Sequence, residues 1–254
     1  MVSDLAGALA GLSAAPRLLV ASDFDGVLAP IVADPGAARP LPAAIEALRL
    51  LGGLPETFVA LVSGRALAEL TALSGLGPPA RLVGSHGAEW STGPVAGLDA
   101  ERAGVLAAVT ETMEDVAGRY PGVLVERKPV NAVLHVRRAS REDAAAAGAE
   151  LTERLARWPD LRVAHGKQIV EVGVVPNDKG SALVTLRSAV EADAVLFLGD
   201  DVTDEDAFAV LTPQDVGVKV GPGETRAAYR VDAPEDAAAV LAELAALRVS
   251  ANRS

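Results

Sequence analysis

Five short apolar runs recur along the chain, each stopping in small or polar residues: "RLLVASDF" from Arg17, "TFVALVSGR" from Thr57, "RLVGSHG" from Arg81, "AVLFLGDD" from Ala194 and "VGVKVG" from Val216. Unbroken hydrophobicity over so few residues is the pattern of strands buried on both faces, as in a parallel sheet. The stretches between them have helical spacing: "LPAAIEALRLLG" after Pro40, "RALAELTALSG" after Gly64 and "DKGSALVTLRSAV" after Asn177. Strand and helix in alternation predict an α/β fold with a doubly wound, Rossmann-like parallel sheet. Such sheets gather ligand groups beyond the carboxyl ends of their strands.

The middle of the chain breaks this rhythm. A helical "DAERAGVLAAVTETMEDVAGRY" leads to "GVLVERKPVNAVLHVRR", whose two alternating runs around Pro129 and Asn131 predict a β-hairpin. A charged helix from about Arg141 to Trp158 follows, then a second hairpin, "LRVAHGKQIVEVGV", turning near Gly166. The expectation is a core in two pieces, residues 1–96 and 175–254, with an α+β unit over 97–174 inserted between them. No internal repeat or low-complexity linker is present.

Composition sets bounds on function. The chain has 254 residues, 50% of them hydrophobic, enough for a main domain carrying a smaller one. A net charge of -11 argues against a nucleic-acid backbone or an anionic membrane as partner. The absence of cysteine excludes disulfides, thiolate catalysis and cysteine-based zinc sites, and fits a reducing cytoplasm. The opening "MVSDLAGALAGLSAAPRLLV" lacks a basic leader, carries Asp4 and runs into a core strand, so it reads as an amphipathic helix rather than a signal peptide. No apolar run approaches the roughly 18 residues of a membrane span. Of 23 basic residues only four are lysines, Lys128, Lys167, Lys179 and Lys219, so lysine marks places where a compact ammonium is a candidate requirement.

The acids stand at the strand ends. Asp23 and Asp25 are two apart, and strand alternation would bring them out on one face. A solvated turn explains one aspartate, but two like charges beside a buried strand call for a cation or a shared proton. A second cluster, "FLGDDVTDEDAF", places Asp200, Asp201, Asp204, Glu205 and Asp206 after another strand. Here Thr203 is the expected helix N-cap, and Glu205 and Asp206 suit a first helical turn. Asp200 and Asp201 have no such ready explanation, and two acidic strand ends supply the hard oxygen ligands that Mg²⁺ prefers. For an anion, Ser63 in "LVSGR" and Lys179 in "NDKGSA" stand near helix starts. Taken singly, Ser-Gly is also a plain turn, and a lone lysine is also a solvated one.

In chain order, Asp-x-Asp, serine at a strand end, lysine and Gly-Asp-Asp resemble the four motifs of the haloacid dehalogenase (HAD) superfamily of phosphatases, at Asp23 and Asp25, Ser63, Lys179, and Asp200 with Asp201. The inserted unit resembles that superfamily's C2-type cap. "SGR", "GSHGAE", "ERKPVNAVLHVR", "GKQIVEV", "NDKG", "GDDVTDEDAF" and "VKVGPGETRAAYR" together resemble the trehalose-6-phosphate phosphatase family, from Arg17 to about Leu247. One departure is Val27, where that family usually has threonine.

The resemblance implies Mg²⁺-dependent hydrolysis of trehalose 6-phosphate through an aspartyl-phosphate on Asp23, with Asp25 as general acid and base carrying a pKa raised by neighbouring carboxylates. Its implied metal ligands are Asp23, the Asp25 main-chain carbonyl and Asp200, with Asp201 and Asp204 orienting bound water or Lys179. Ser63 and Lys179 would hold the phosphate, with Gly26, Gly64 and Arg65 beside them and N–H groups around Gly26 forming an anion nest. Lys128, His135, Arg137, Lys167 and Glu171 of the inserted unit match sugar- and phosphate-binding positions, although alternating polar residues on two hairpins also describe a wet sheet face. The cap would close to exclude water. His86 and Glu89 are open to a base or a structural role, with the hydrogen-bonded structural one favoured, and Lys219, on or beside an edge strand, receives no chemistry. The expected state is a cytoplasmic monomer, with room for functional association with a trehalose-phosphate synthase.

Three alternatives stand beside this reading. A signalling receiver domain also joins acids, a hydroxyl and a lysine on such a sheet, but its acidic pair comes first and it is about half this long. A phosphatase of another sugar phosphate, of the sucrose-phosphate or mannosyl-phosphoglycerate type, would share the core. A non-catalytic sugar-phosphate sensor would bind without turnover.

Overall fold

The computed structural model describes residues 2–92, 100–128, 130–159, 161–166, 168–174 and 178–251. Helix α1 (Val2–Ser13) leads into β1 (Leu18–Ser22), whose five residues are all buried. Helix α2 (Pro42–Gly52) starts on a proline, which has no N–H to leave unpaired there, and runs to β2 (Thr57–Val62). Helix α3 (Leu67–Ser74), β3 (Arg81–Gly84) and β4 (Glu89–Trp90) complete the first stretch.

The chain then builds a second unit. It consists of α4 (Ala100–Ala117), β5 (Leu124–Arg127), β6 (Asn131–His135), α5 (Arg141–Leu155), β7 (Arg162–Gly166) and β8 (Ile169–Gly173). Ser140 caps α5 by accepting the Asp143 N–H at 3.0 Å. Both hairpins form, and the antiparallel sheet has the order β5-β6-β8-β7. Ala132, Leu134, Val170 and Val172 pack on Val109, Met113, Ala147 and Leu151 of α4 and α5, so one sheet face makes this unit's own core. By alternation the opposite face carries Glu126, Asn131, His135 and Glu171.

The chain returns with α6 (Lys179–Ala189), β9 (Ala194–Gly199), α7 (Glu205–Ala209), β10 (Val216–Val220), β11 (Tyr229–Val231) and α8 (Pro234–Ala251). Two compact units result, Met1–Gly93 with Asp178–Ser254, and Pro94–Asn177. The larger sheet has the order β11-β10-β9-β1-β2-β3-β4, with parallel pairs throughout except the antiparallel β3–β4 edge. One face packs Leu18, Val20, Leu196 and Val218 against α1, α2 and α8. The other packs Leu19, Val62 and Phe197 against Leu183, Leu186 and Phe208 of α6 and α7. Burying both faces is why these strands are continuously apolar. The chain winds one way from β1 to β3 and then resumes on the far side at β9, so β1 and β9 meet where the strand order reverses, the position at which open α/β sheets place ligands. Among the described residues no helix is long and apolar enough to cross a membrane.

Candidate active site

Ser22, the last residue of β1, pairs with Leu198 of β9, and the next N–H, that of Asp23, donates to the Leu198 carbonyl at 2.9 Å. The two acidic loops therefore leave the sheet side by side. Lys179, the first residue of α6, is 2% exposed and donates to Asp23 Oδ2 at 2.7 Å and to Asp204 Oδ1 at 2.8 Å. The Phe24 N–H donates to Asp23 Oδ1 at 2.6 Å, so both oxygens of Asp23 are oriented. Asp204, fully buried, uses Oδ2 to accept the N–H groups of Asp200 at 2.9 Å and Asp201 at 3.0 Å.

Asp201 caps the turn that follows it. Its carboxylate accepts the Val202 N–H at 2.6 Å and forms a reciprocal capping box with Asp204 around the short 3-10 turn Val202–Asp204. Thr203, expected as the N-cap, lies inside that turn, because Asp201 already occupies the cap.

Asp23 and Asp25 do not emerge together as alternation predicts. The strand stops at Ser22, and in the loop beyond it the two carboxylates diverge. Asp25 turns to Arg65, which donates through Nε to Oδ2 at 2.5 Å and through Nη2 to Oδ1 at 2.7 Å. Its neighbour is thus a guanidinium, not the carboxylates expected to crowd it. Arg65 also pairs with Glu69, donates to the Pro35 carbonyl at 2.9 Å and lies over the Phe24 ring. The hydrogen bond to Asp25, foremost, raises the Arg65 pKa further.

Gly26 has a φ of +74°, and a Cβ there would overlap the Asp200 carboxylate. Only glycine allows both the turn and that approach. The Gly26 N–H is committed to the Ala29 carbonyl at 2.8 Å, and among the described residues the Asp25 and Val27 amides have no acceptor. Val27 itself is fully buried in the apolar cluster under β1, where a methyl suits the surroundings.

Ser63 is buried, and its Oγ accepts the Arg65 N–H at 3.3 Å. A strained turn supports this loop: Ser85 and His86 have φ of 50° and 56°, unusual for residues with a side chain. The Ser85 and His86 N–H groups donate to the Arg65 carbonyl at 2.7 Å and the Ser63 carbonyl at 2.9 Å. The His86 ring occupies the space a Cβ on Gly64 would need. Glu89 accepts the Leu67 N–H at 3.1 Å at the start of α3 and the Ser85 hydroxyl.

One oxygen from each of Asp23, Asp200 and Asp204 lies within 4.8 Å of the others. Burial, foremost, pushes the Asp23 carboxyl up to about 7, with Asp204 adding to the push and Lys179 opposing it. Burial also lifts Asp200 to about 6, again with help from Asp204 and against Lys179 and Lys219. For Lys179, burial disfavours charge, but Asp23 and Asp204 more than offset it and its pKa is raised. Two of these three carboxylates bond the one ammonium, so the lysine stays charged and the surplus negative charge favours bound protons or a cation. An all-oxygen donor set suits a hard divalent ion. Among the described residues the Asp200 carboxylate accepts no hydrogen bond, which leaves it available as a ligand.

In the second unit, Glu171 accepts from Asn131 Nδ2, and His135 Nε2 lies 2.8 Å from Glu126 Oε2. Lys128 is half-buried at the hairpin turn, where its N–H donates to the Asn131 carbonyl at 2.9 Å, and Arg137 is exposed in the turn after β6. Lys167 lies outside the described residues. Sequence reasoning passed over Glu126, two residues before Lys128, and Asn131, four residues before His135 on β6. It gave no chemistry to Lys219, which is buried on β10 beside the edge strand β11. A lysine inside the apolar run "VGVKV", in a chain with so few lysines, was the available signal.

The trehalose-phosphatase family model matches residues 21–236. A trehalose-phosphate phosphatase of Mycobacterium tuberculosis is 36% identical over 256 residues, covering 92% of this chain; the chain spans 64% of that relative's length. The trehalose-6-phosphate phosphatase of Aspergillus fumigatus superimposes with a TM-score of 0.69 at 30% identity, covering 96% of this chain and 97% of the fungal one. The C-terminal domain of the Candida albicans trehalose-6-phosphate phosphatase gives 0.60 at 26% identity, with 96% and 97% coverage. With Asp23, Ser63, Lys179 and Asp200 all inside the matched span, and a HAD-like core beneath them, the chain belongs to the trehalose-phosphatase family.

Proposed function

We propose that this chain hydrolyses trehalose 6-phosphate to trehalose and inorganic phosphate. The observation that carries the reading is the buried Lys179 ammonium shared by Asp23 and Asp204, with Asp200 alongside, in a chain of this family. Asp23, held by Lys179 and the Phe24 N–H, attacks phosphorus, and the bond to the sugar oxygen breaks as Asp25 gives that oxygen a proton. Asp25 then takes a proton from water, whose oxygen attacks the aspartyl-phosphate and releases phosphate with Asp23 restored. Ser63 and Lys179 bind phosphoryl oxygens, and the Asp25 and Val27 amides add donors.

Asp23, the Asp25 carbonyl and Asp200 would hold Mg²⁺, with Asp204 orienting the lysine and the loop. When bound, the ion neutralises phosphoryl charge and lowers the repulsion that an attacking carboxylate meets. Sugar recognition is assigned to the polar sheet face of the second unit, through Lys128, His135, Arg137, Lys167 and Glu171, where a carboxylate such as Glu171 can accept two hydroxyls. The same reading makes the chain a cytoplasmic monomer that uses the product of a trehalose-phosphate synthase.

The test is phosphate release with Mg²⁺ across trehalose 6-phosphate, glucose 6-phosphate, sucrose 6-phosphate and mannosyl-3-phosphoglycerate, with Asp23→Asn as the inactive control. No preference for trehalose 6-phosphate over glucose 6-phosphate overturns the substrate assignment. Binding without turnover identifies a sensor instead.

A further inference from the structure

Lys219 lies on β10, is 4% exposed and has no carboxylate within ion-pair distance among the described residues. Val216, Val218 and Val220 face the cluster with α1, α2 and α8. By alternation Gly217 and Lys219 face the other side, where Gly217 lies against Phe208 and Leu211. A methionine would fill such a place without the cost of desolvating an ammonium, so packing does not call for lysine.

Its acceptor among the described residues explains the choice. Lys219 is in register with Gly199 at the end of β9, and its Nζ donates to the main-chain carbonyl of Asp200, the next residue. The Asp200 N–H is held by Asp204 at 2.9 Å, and the Asp201 N–H by the same carboxylate oxygen at 3.0 Å. Buried charged side chains thus hold every main-chain polar group from the Asp200 N–H to the Asp201 N–H. The Asp200 side chain between them accepts no hydrogen bond from the described residues.

We infer that Lys219 is a positioning residue: with Asp204 it clamps the main chain on both sides of the Asp200 Cα, so that this carboxylate is preset to receive a divalent cation. Ligands fixed by an outer layer of hydrogen bonds bind metal more tightly because less order is lost on binding. The inference rests on the metal-assisted reading above and assigns no substrate contact to Lys219. Its sign is distinctive. As a bare charge an ammonium repels a cation, so by Coulomb's law alone its removal would tighten binding; as a clamp, its removal loosens binding.

The experiment is titration of the metal-stripped full chain with Mn²⁺, following free Mn²⁺ by electron paramagnetic resonance, in the parent, Lys219→Met and, as a control, Asp200→Asn. The expected result is a dissociation constant raised about ten-fold or more in Lys219→Met, the size typical of lost outer-layer support. An unchanged or lower constant overturns the inference, including the case in which only the melting temperature falls. Should Lys219→Met not fold, Lys219→Gln decides by the same readout. A parent chain that binds no Mn²⁺ overturns the metal reading and the inference with it, whereas parent binding lost in Asp200→Asn but kept in Lys219→Met overturns the inference alone.

Discussion

Arg65 grips both carboxylate oxygens of Asp25, at 2.5 and 2.7 Å, while the carboxylate two residues earlier, Asp23, faces Lys179. Two acids of one short motif are thereby given separate cationic partners. The pairing fixes Asp25 in one rotamer but also occupies it, so the general acid of the proposed reaction is both placed and restrained by a single side chain. Replacing Arg65 with methionine removes a bidentate partner of fixed geometry. The turnover number for phosphate release is expected to fall about 100-fold or more, since a well-oriented acid–base group contributes about 10²–10⁴-fold. Steady-state kinetics on trehalose 6-phosphate check this, and an Arg65→Met enzyme as fast as the parent removes Asp25 orientation from the account.

Lys179 is a buried hub, with carboxylates at 2.7 and 2.8 Å. Lys179→Met leaves Asp23 and Asp204 unneutralised in a dry site. Breaking one partner of a buried pair costs about 3–5 kcal/mol. Urea unfolding should report a loss of that size, with phosphate release abolished.

Stability should fall with rising pH when no divalent cation is present. Asp23 and Asp200 have folded pKa values of about 7 and about 6, both above their ordinary value of 3.8. The folded state therefore binds protons that the unfolded state has released. This contribution is full below roughly pH 4 and is lost as pH climbs through 6 and 7. Melting temperatures of chelator-treated protein from pH 4 to 8 should show the decline. Asp200→Asn should flatten it, and Mg²⁺ should suppress it by taking the place of the protons.

Glu171 is held by Asn131 on the polar face of the second sheet. Asn131→Leu frees that carboxylate from its partner. The expected outcome is a KM for trehalose 6-phosphate raised about ten-fold, the order of one lost charged hydrogen bond, with hydrolysis of p-nitrophenyl phosphate unchanged. Equal losses on both substrates would assign Asn131 to folding rather than to recognition.

Arg248 of α8 is 3% exposed and donates to the carbonyls of Ser13 at 3.0 Å, Pro16 at 3.2 Å and Glu56 at 3.2 Å, to that of Ala15, and to the Thr57 hydroxyl at 3.1 Å. It ties the ends of α1 and α8 to the start of β2. Arg248→Leu strands these acceptors and should cost roughly 2–4 kcal/mol, read from denaturant midpoints, with the active-site kinetics of the folded fraction intact.

The amino-acid sequence determined the elements and the chemistry available. Parallel strands announce themselves by continuous apolar runs because both their faces are buried, and the inserted hairpins by alternation because only one of theirs is. Asp23, Lys179 and Asp200 were legible because acids and a rare lysine stand where such strands and helices begin or end. What the tertiary structure alone decided is partnership. A sequence states which charges exist; their neighbours follow from strand order and loop path, which bring residues 23, 179 and 204 together across 156 and 25 positions of chain. Asp25 could not be seen to meet Arg65, nor Asp201 to displace Thr203 as a cap, nor Lys219 to hold the carbonyl of Asp200. Each of those outcomes depends on angstrom-scale contacts between segments that are distant in sequence, or on competition between adjacent caps, and neither leaves a periodic trace in residue order.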